Sequence, residues 1–391
     1  MSQIRVLAFG AWDQGPGYPR THSLFQGLRL AGVSVTECRV DLPFAGVSKR
    51  RLLSSPWRWP GYWWSLRRRR RAATQALSIA ISDVSPDAIL VPYPGHFVVG
   101  WLRSVWDGPI LLDMFLSLFD TAVIDRRLFQ PRSPIARWMR HIDRRACRQA
   151  DVVLTDTQAN AGFLAELVEL PPTRFAVVPV SDPHAPDRPP PSRTLEPGQP
   201  LELLFFGTGV PLHGLIHLLD AVDRCRDVRL TLIGGSSQER TRALEMPAER
   251  VRILDEFVSV AELSGHISKA HLVAGVFGTS PKTDRVIPLK VVHALSHGRP
   301  VITADTRSAH AMLGGCCVTV PTGDSEELSR ALDNLAVHPE LLRHIASRSR
   351  SVYDSTFSVE RVGSAMLIAL SKLNLRQTSP SAVEELEVSC R

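Results

Sequence analysis

The sequence predicts an α/β protein of two domains, each built on a parallel sheet that is covered by helices. The 391 residues are many for a single core. Short apolar runs alternate with helical patterns through both halves, which is typical of parallel, helix-covered sheets. Between the halves, residues 181–200 contain enough proline to exclude a helix or a central strand. We therefore place a linker or a long surface loop there.

The first half, residues 1–180, is predicted to be the N-terminal domain. Its first strand is followed by a glycine-containing loop and a helix, the order expected of a βαβ unit. An arginine-rich helical pattern lies near its end. The predicted strands cover residues 4–9, 33–40, 88–91, 109–112, 152–155 and 175–178, and the predicted helices cover about 21–31, 65–82 and 134–149.

The second half repeats this order over residues 201–355 and is predicted to be the C-terminal domain. The predicted strands cover residues 201–206, 228–233, 251–254, 272–276, 300–303 and 317–320, and the predicted helices cover about 215–224, 260–269, 288–296, 325–335 and 339–353. An amphipathic helix within 356–375 is expected to cross back onto the first domain, and 376–391 to be a disordered tail. Two such sheets facing each other leave a cleft at the carboxyl ends of their strands.

Composition limits the possible classes of function. Hydrophobic residues make up 44% of the chain and charged residues 22%, so each half can form a globular core. No apolar run reaches the roughly 18 residues that span a bilayer. The six cysteines lack metal-ligand spacing, and the N-terminus lacks the pattern of a signal peptide. We expect a cytoplasmic protein without a metal site.

The chain is basic, with a net charge of +7 and a pI of about 9.4. Anionic partners are therefore favoured, such as nucleotide diphosphates, anionic lipid head groups or nucleic acid. Residues 57–71 combine aromatic side chains with arginines, which suits a membrane interface, an acceptor site, a nucleic acid, or the solvated end of a surface helix. No nucleic-acid-binding motif is present, so we expect no nucleic-acid partner and a possible peripheral membrane contact through this segment.

Two segments of the second half carry candidate ligand-binding residues. Residues 203–214, LLFFGTGVPLHG, predict a strand-to-helix turn whose free N–H groups suit a diphosphate, although a plain glycine turn has the same pattern. In residues 285–306, RVIPLKVVHALSHGRPVITADT, Lys290 falls in the first turn of a predicted helix. A cation there opposes the helix dipole, so it fits better beside a bound anion than free in solvent.

Further candidates lie near strand ends of the first half. His96 follows a predicted strand at a Pro-Gly turn, which places it near the cleft as a partner for a sugar or an acceptor. A histidine that only caps the turn is the alternative. Asp113 and Asp120 are similarly placed and are candidates for an acceptor base or for structural caps.

The second segment resembles the "IPxKxxEALAxGxPVI" segment of family 4-like (group 1) glycosyltransferases, and FGTGVPLHG is similar to the glycine loop of their donor domain. GPGYPRTHSLFQGLRLAGVSVTEC, DAILVPYPGH and ILLDMFLSLFDT also resemble segments of that family. The resemblance extends to about residue 375. It implies the GT-B fold, in which two Rossmann-like domains with parallel sheets face a central cleft.

The resemblance also implies an activity. It indicates a retaining transferase that moves a sugar from a GDP- or UDP-linked donor to a small-molecule or lipid acceptor, with neither a catalytic metal nor a further cofactor. A bacterial natural-product or cell-envelope pathway fits such an enzyme. The implied sites are Gly207, Thr208, Gly209 and His213 at the diphosphate, Lys290 at a phosphate, Leu289 and Val291 near the sugar and ribose, Asp255, Glu256 and Phe257 at the base, Gly15, Gly17 and Tyr18 bordering the acceptor side, and His96 at the reacting sugar.

The chain departs from the family pattern at four positions. Many relatives have arginine and lysine where Thr208 and His213 stand, and two glutamates where Arg285 and His293 stand. We therefore expect Arg285 and Lys290 to stabilise the leaving diphosphate and His293 to bind ribose. If His213 is protonated, it adds a third cation. The alternative is a nucleotide-binding accessory protein without turnover, or a pseudo-glycosyltransferase.

Overall fold

The structure is a computed structural model that describes residues 3–12, 15, 19–40, 59–254 and 258–373, with only the backbone described for 59–67. The predicted tail, 376–391, lies outside the described residues. So do the site candidates Gly17, Tyr18, Asp255, Glu256 and Phe257. The prediction for residues 57–71 is covered only in part, by the exposed arginines at 68–71.

The first sheet has six parallel strands in the order β2-β1-β3-β4-β5-β6. The strands are β1 (Arg5–Gly10), β2 (Ser34–Arg39), β3 (Ala88–Val91), β4 (Ile110–Asp113), β5 (Val152–Thr155) and β6 (Phe175–Val177). The helices are α1 (Pro19–Leu30), α2 (Trp59–Val84), α3 (Val99–Leu102), α4 (Pro134–Gln149) and α5 (Gln158–Val168), and a π-helical turn covers Asp120–Asp125.

The first sheet is covered by helices on both faces, which explains its nearly uninterrupted apolar strands. Every residue of β3 and β4 is buried, as expected of central parallel strands. On one face, Leu24 and Leu28 of α1 pack with residues from the end of the chain, and on the other, Leu77 of α2 and Leu164 of α5 pack against β3 and β4.

The second sheet also has six parallel strands, in the order β12-β11-β10-β7-β8-β9. The strands are β7 (Leu201–Gly207), β8 (Val228–Gly234), β9 (Val251–Ile253), β10 (Leu272–Ala274), β11 (Val301–Ala304) and β12 (Cys317–Val320). The helices are α6 (Leu215–Arg224), α7 (Ser237–Leu244), α8 (Val260–Lys269), α9 (Leu289–Ser296), α10 (Arg307–Leu313), α11 (Ser325–Val337) and α12 (Pro339–Val352). The two sheets match the predicted pair of Rossmann-like domains.

A final helix, α13 (Val359–Ser371), returns to the first domain and packs along α1. The two helices approach closely because glycines face each other at the crossing. A Cβ atom on Gly27 would lie 2.7 Å from the backbone nitrogen of Gly363, and one on Gly363 would lie 2.4 Å from the carbonyl oxygen of Gly27. Around this contact, Val362 and Met366 complete the core over the first sheet.

Helices α5, α7 and α10 were not predicted, although each begins at a side chain that caps it. The hydroxyl of Thr157 accepts a hydrogen bond from the nitrogen of Asn160. Ser236 and Glu239 form a capping box at α7, and Thr306 caps α10. These short helices follow strands that were predicted, so the capping residues were the available signal.

The proline-rich segment 181–200 contains neither helix nor strand, and it packs along the second domain. The side chain of Arg350 donates to the carbonyl of Pro186, and that of Arg299 donates to the carbonyl of Pro191. Leu195 lies in the core of the second domain. Over the part of the chain that the structure describes, no helix is long and apolar enough to cross a bilayer.

Candidate active site

The glycine loop after β7 forms one wall of the candidate site. Gly207 has φ 151° and Gly209 has φ 66°, angles that favour glycine. A Cβ atom on Gly209 would lie 2.2 Å from the backbone nitrogen of Ser236. One on Gly207 would lie 2.7 Å from the His213 ring and 3.3 Å from Nζ of Lys290. The loop is thus compact, and Lys290 reaches its surface.

Lys290 carries a buried amine with no counterion in contact. Its side chain lies in the first turn of α9 with 4% of the residue exposed, and Nζ has no hydrogen-bond partner among the described residues. Nζ lies 3.6 Å from the centre of the Phe205 ring. Burial lowers the pKa of Lys290 well below its usual value, and the charge of Glu239 opposes this only partly. A buried amine without a partner is costly unless an anion binds there.

His213 cannot supply the expected third cation in the free protein. Its Nδ1 is buried without a partner, and burial together with the charge of Lys290 lowers its pKa to about 2. The ring therefore stays neutral and packs edge-on to Phe205, with centroids 5.8 Å apart. The condition for a third cation, a protonated His213, is therefore not met in the free protein. Thr208, beside it, is exposed.

Arg285 lies at the contact between the domains, paired with a carboxylate of the first domain. Its Nη2 lies 2.7 Å from Oδ1 of Asp120, and Nζ of Lys282 lies 3.4 Å from Oδ2 of the same side chain. The guanidinium carbon lies 3.4 Å from the centre of the Phe163 ring. Arg285 and Asp120 are both nearly fully buried. Because Arg285 and Asp120 are paired with each other, Arg285 is not a free cation for the diphosphate. Asp120, for the same reason, is not a free acceptor base.

His293 is likewise paired with a carboxylate. Its Nδ1 lies 3.0 Å from Oδ2 of Asp182, which also accepts a hydrogen bond from the hydroxyl of Ser296 at 2.9 Å. Burial alone would raise the pKa of Asp182, but the hydrogen bonds from His293 and Ser296 outweigh it and lower this pKa to about 2. The side chain of His293 is 13% exposed, so one edge stays accessible.

The neighbours of Lys290 in α9 differ in their exposure. Leu289 is half-buried at the start of the helix. Val291 is fully buried in the core beneath it, so its side chain does not reach the cleft. A contact from residue 291 to a sugar or ribose would come from its backbone.

His96 is enclosed within the first domain. Its side chain is 1% exposed, and Nε2 lies 3.4 Å from Oδ1 of Asp143 in α4. Asp143 also accepts hydrogen bonds from the hydroxyl of Ser117 and the nitrogen of Phe119. Burial lowers the pKa of His96, against the opposing charge of Asp143. This geometry supports the structural alternative for His96 and not contact with the reacting sugar.

Asp113, the second candidate base, is also occupied. Nη2 of Arg20 lies 2.9 Å from its Oδ1, and both side chains are buried. Arg20 also donates to the carbonyl of Val178 at the end of the first domain. The pair therefore joins α1 to β4 and to the end of the first domain.

The remaining acceptor-side candidate within the described residues is Gly15. It lines a cavity of 450 Å³ beside α1, and Phe25, Glu37 and His184 are also part of its wall. No group of three or more His, Cys, Asp or Glu side chains is arranged to hold a metal ion within residues 3–12, 15, 19–40, 59–254 and 258–373.

Glu239 is a site residue that the sequence analysis missed. Its carboxylate accepts hydrogen bonds from the nitrogen and the hydroxyl of Ser236, each at 2.7 Å, beside the glycine loop. A Cβ atom on Gly209 would lie 2.5 Å from it. The spacing of Ser236 and Glu239, which is that of a capping box, was the signal that could have revealed it.

Solved structures with the same architecture cover nearly the whole chain. Sucrose-phosphate synthase from Thermosynechococcus elongatus matches with a TM-score of 0.70 and 15% identity, over 95% of this chain and 99% of that one. Anabaena HepE in complex with UDP and glucose matches with a TM-score of 0.63 and 15% identity, over 95% and 100%. A glycosyltransferase from Rickettsia africae matches with a TM-score of 0.60 and 11% identity, over 96% and 100%. At these identities the likeness shows the fold.

Sequence models of one enzyme family match both domains. The model described as "Glycosyl transferase 4-like domain" matches residues 3–181, and the model described as "Glycosyl transferases group 1" matches residues 200–338. No protein of curated function matches the sequence. The two models meet at the proline-rich segment and together span both sheets. The chain therefore belongs to the group 1 glycosyltransferases with the GT-B fold.

Proposed function

We propose that this protein is a retaining glycosyltransferase that needs no catalytic metal and takes a UDP- or GDP-linked sugar as its donor. The observation that carries this proposal is Lys290, a buried amine without a hydrogen-bond partner against the glycine loop of the second domain. HepE structures are complexes with UDP and with UDP-glucose, which supports a nucleotide-sugar donor here.

In this proposal Lys290 neutralises the diphosphate as it leaves the sugar. Because Arg285 is bound to Asp120 and His213 is neutral, Lys290 supplies the cationic stabilisation together with backbone N–H groups of the glycine loop. The enzyme would then act by positioning and by electrostatic stabilisation. The acceptor is a small molecule or a lipid, and the pathway is natural-product or cell-envelope biosynthesis.

A second candidate is a nucleotide-binding accessory protein or a pseudo-glycosyltransferase. It is favoured by two contacts in which a carboxylate binds a candidate site residue. Asp120 pairs with Arg285, and Asp182 pairs with His293. Because Arg285 and His293 are already paired, anion binding and any turnover depend on Lys290 and the glycine loop. This candidate predicts nucleotide binding without any product.

The deciding experiment measures binding and turnover on the full chain. We expect UDP or GDP to bind by calorimetry, and Lys290→Met to weaken that binding by about 10- to 100-fold, the value of a charge-assisted hydrogen bond. Lys269→Met, which removes an exposed lysine of α8, is the matched control and should leave the affinity unchanged.

Turnover is then measured by mass spectrometry with UDP- and GDP-sugars. Release of nucleoside diphosphate with sugar transferred to an acceptor or to water, in the presence of a metal chelator, supports the transferase. Binding without any release supports the accessory protein. Absence of nucleotide binding by the wild-type chain contradicts both.

A further inference from the structure

Helix α4 presents a basic face to solvent that the glycosyltransferase site does not use. Arg137, His141, Arg145 and Arg148 are exposed, and their spacing of three and four residues places them on one side of the helix. Trp138 lies at the margin of this side, with 54% of its surface exposed. We call these five residues the α4 face.

The arginines of the α4 face differ from the other arginines of the same helix. Arg140 and Arg144 reach Glu169 at the end of α5, and Arg140 also donates to the carbonyl of Leu167. For Arg137, Arg145 and Arg148 the structure gives no ion pair within its described residues. One side of the helix is thus bound to its neighbour, and the other keeps its charge available.

The loop before α4 extends this surface. Arg126, Arg127 and Arg132 are exposed, and Leu128 among them has 61% of its surface exposed. Residues 126–148 contain eight arginines and one acidic residue, Asp143, whose side chain is fully buried. No exposed carboxylate in this stretch opposes an approaching anionic surface.

The position of α4 in the fold places this basic surface near the cleft. Because α4 connects the parallel strands β4 and β5, it begins at the edge of the sheet where strands end, and that edge lines the cleft. Trp138 and the loop with Leu128 are at this starting end. A flat anionic surface in contact with the α4 face would therefore lie beside the cleft.

We propose that the α4 face and the loop before it dock onto an anionic lipid bilayer. Several unpaired arginines provide attraction to the head groups, and exposed Trp138 and Leu128 provide the apolar side chains that enter the interface. A solvated surface helix needs neither the exposed tryptophan nor the absence of exposed acidic residues. The proposal does not depend on sugar transfer, because docking is measured without a donor or an acceptor.

The test is sedimentation of the full chain with vesicles at low and at physiological salt. One set of vesicles contains phosphatidylcholine alone, and the other also contains phosphatidylglycerol. We expect binding only to the second set. Replacing Arg137, Arg145 and Arg148 together by glutamine should lower the partition coefficient by about 100-fold, at roughly fivefold per arginine. Trp138→Ala should lower it by roughly threefold or more.

A charge-matched control separates this surface from the general basic character of the chain. Arg224, Arg343 and Arg361 are exposed arginines elsewhere, and replacing all three by glutamine removes the same charge. We expect this triple variant to bind vesicles within about twofold of the wild type. Since all the replaced side chains are exposed, circular dichroism should show both variants to be folded.

Three outcomes would overturn the proposal. The first is equal binding to both sets of vesicles, and the second is equal loss in the two triple variants. The third is a wild-type chain that binds a duplex or single-stranded oligonucleotide through the α4 face but does not bind the vesicles, which would assign the face to nucleic acid.

Discussion

The carboxylate of Asp120 and the guanidinium of Arg285 lie 2.7 Å apart and join the two domains of this glycosyltransferase. Asp120 belongs to a π-helical turn of the first domain, and Arg285 precedes the helix that carries Lys290 in the second. Thr157 of the first domain also donates to the carbonyl of Arg285. The contact between the two domains is therefore stabilised by a buried ion pair.

Asp120→Asn tests this contact. The change leaves Arg285 and Lys282 buried without an anion, so we expect the free energy of unfolding to fall by about 3 kcal/mol. Denaturant unfolding measures the fall, and small-angle scattering should show a larger radius of gyration. Asp223→Asn is the control, since Asp223 pairs with Arg242 at the surface and should cost at most about 1 kcal/mol. Equal stability of the two variants would contradict the assignment.

Lys290 should make the free protein less stable at neutral pH than a variant without the buried amine. Because the pKa of folded Lys290 is lowered, the unfolded chain binds the extra proton between that pKa and 10.5, and wild-type stability rises with pH across this window. We expect Lys290→Met to be the more stable protein near neutral pH, and its advantage to shrink toward pH 10.5.

Urea unfolding of both proteins over this pH range, without nucleotide, measures the difference. Lys269→Met carries an exposed substitution and should follow the wild type at every pH. A constant difference between wild type and Lys290→Met would mean that Lys290 titrates normally in the folded chain.

Asp182 should stabilise the second domain only while it is ionised. Its pKa is about 2 against an ordinary value of 3.8, so its contribution is present above 3.8 and is lost as the pH falls toward 2. This shift corresponds to about 2 kcal/mol. We expect Asp182→Asn to be less stable than the wild type by about that amount near neutral pH, and the difference to vanish in acid.

Thermal unfolding between neutral and acidic pH measures this dependence. Asp187→Asn lies in the same proline-rich segment at an exposed position and should not change stability at any pH. A difference between wild type and Asp182→Asn that persists at low pH would point to lost packing and not to the charge.

The crossing of α1 and α13 predicts a steric effect. Gly363→Ala places a Cβ atom 2.4 Å from the carbonyl oxygen of Gly27, so the helices must separate, at a cost of about 2 kcal/mol. Gly162→Ala in α5 has no atom within 4 Å of its new Cβ and should stabilise the chain by about 0.5 to 1 kcal/mol. Limited proteolysis should also release the C-terminal helix from Gly363→Ala first. Similar stability of the two variants would exclude the close crossing.

The sequence predicted the parts of the fold that local patterns encode. The strands β3, β5 and β12 and the helices α4, α6 and α8 have the predicted bounds, because apolar runs, turns and caps are local signals. The short helices α5, α7 and α10 were missed, since each is near or below the length over which a helical period can be recognised. Among the site residues, Lys290 lies in the first turn of α9, as predicted, but its burial beside the glycine loop is seen only in the structure.

The sequence by itself determined that this chain has two parallel sheets, a glycine loop and a lysine at the start of a helix. Only the tertiary structure decided which charges are free. Asp120 and Arg285 are 165 residues apart, and Asp182 and His293 are 111 apart. Local pattern cannot show that such side chains meet. Burial then sets their charge states, because a buried charged group costs free energy unless a partner is in contact with it.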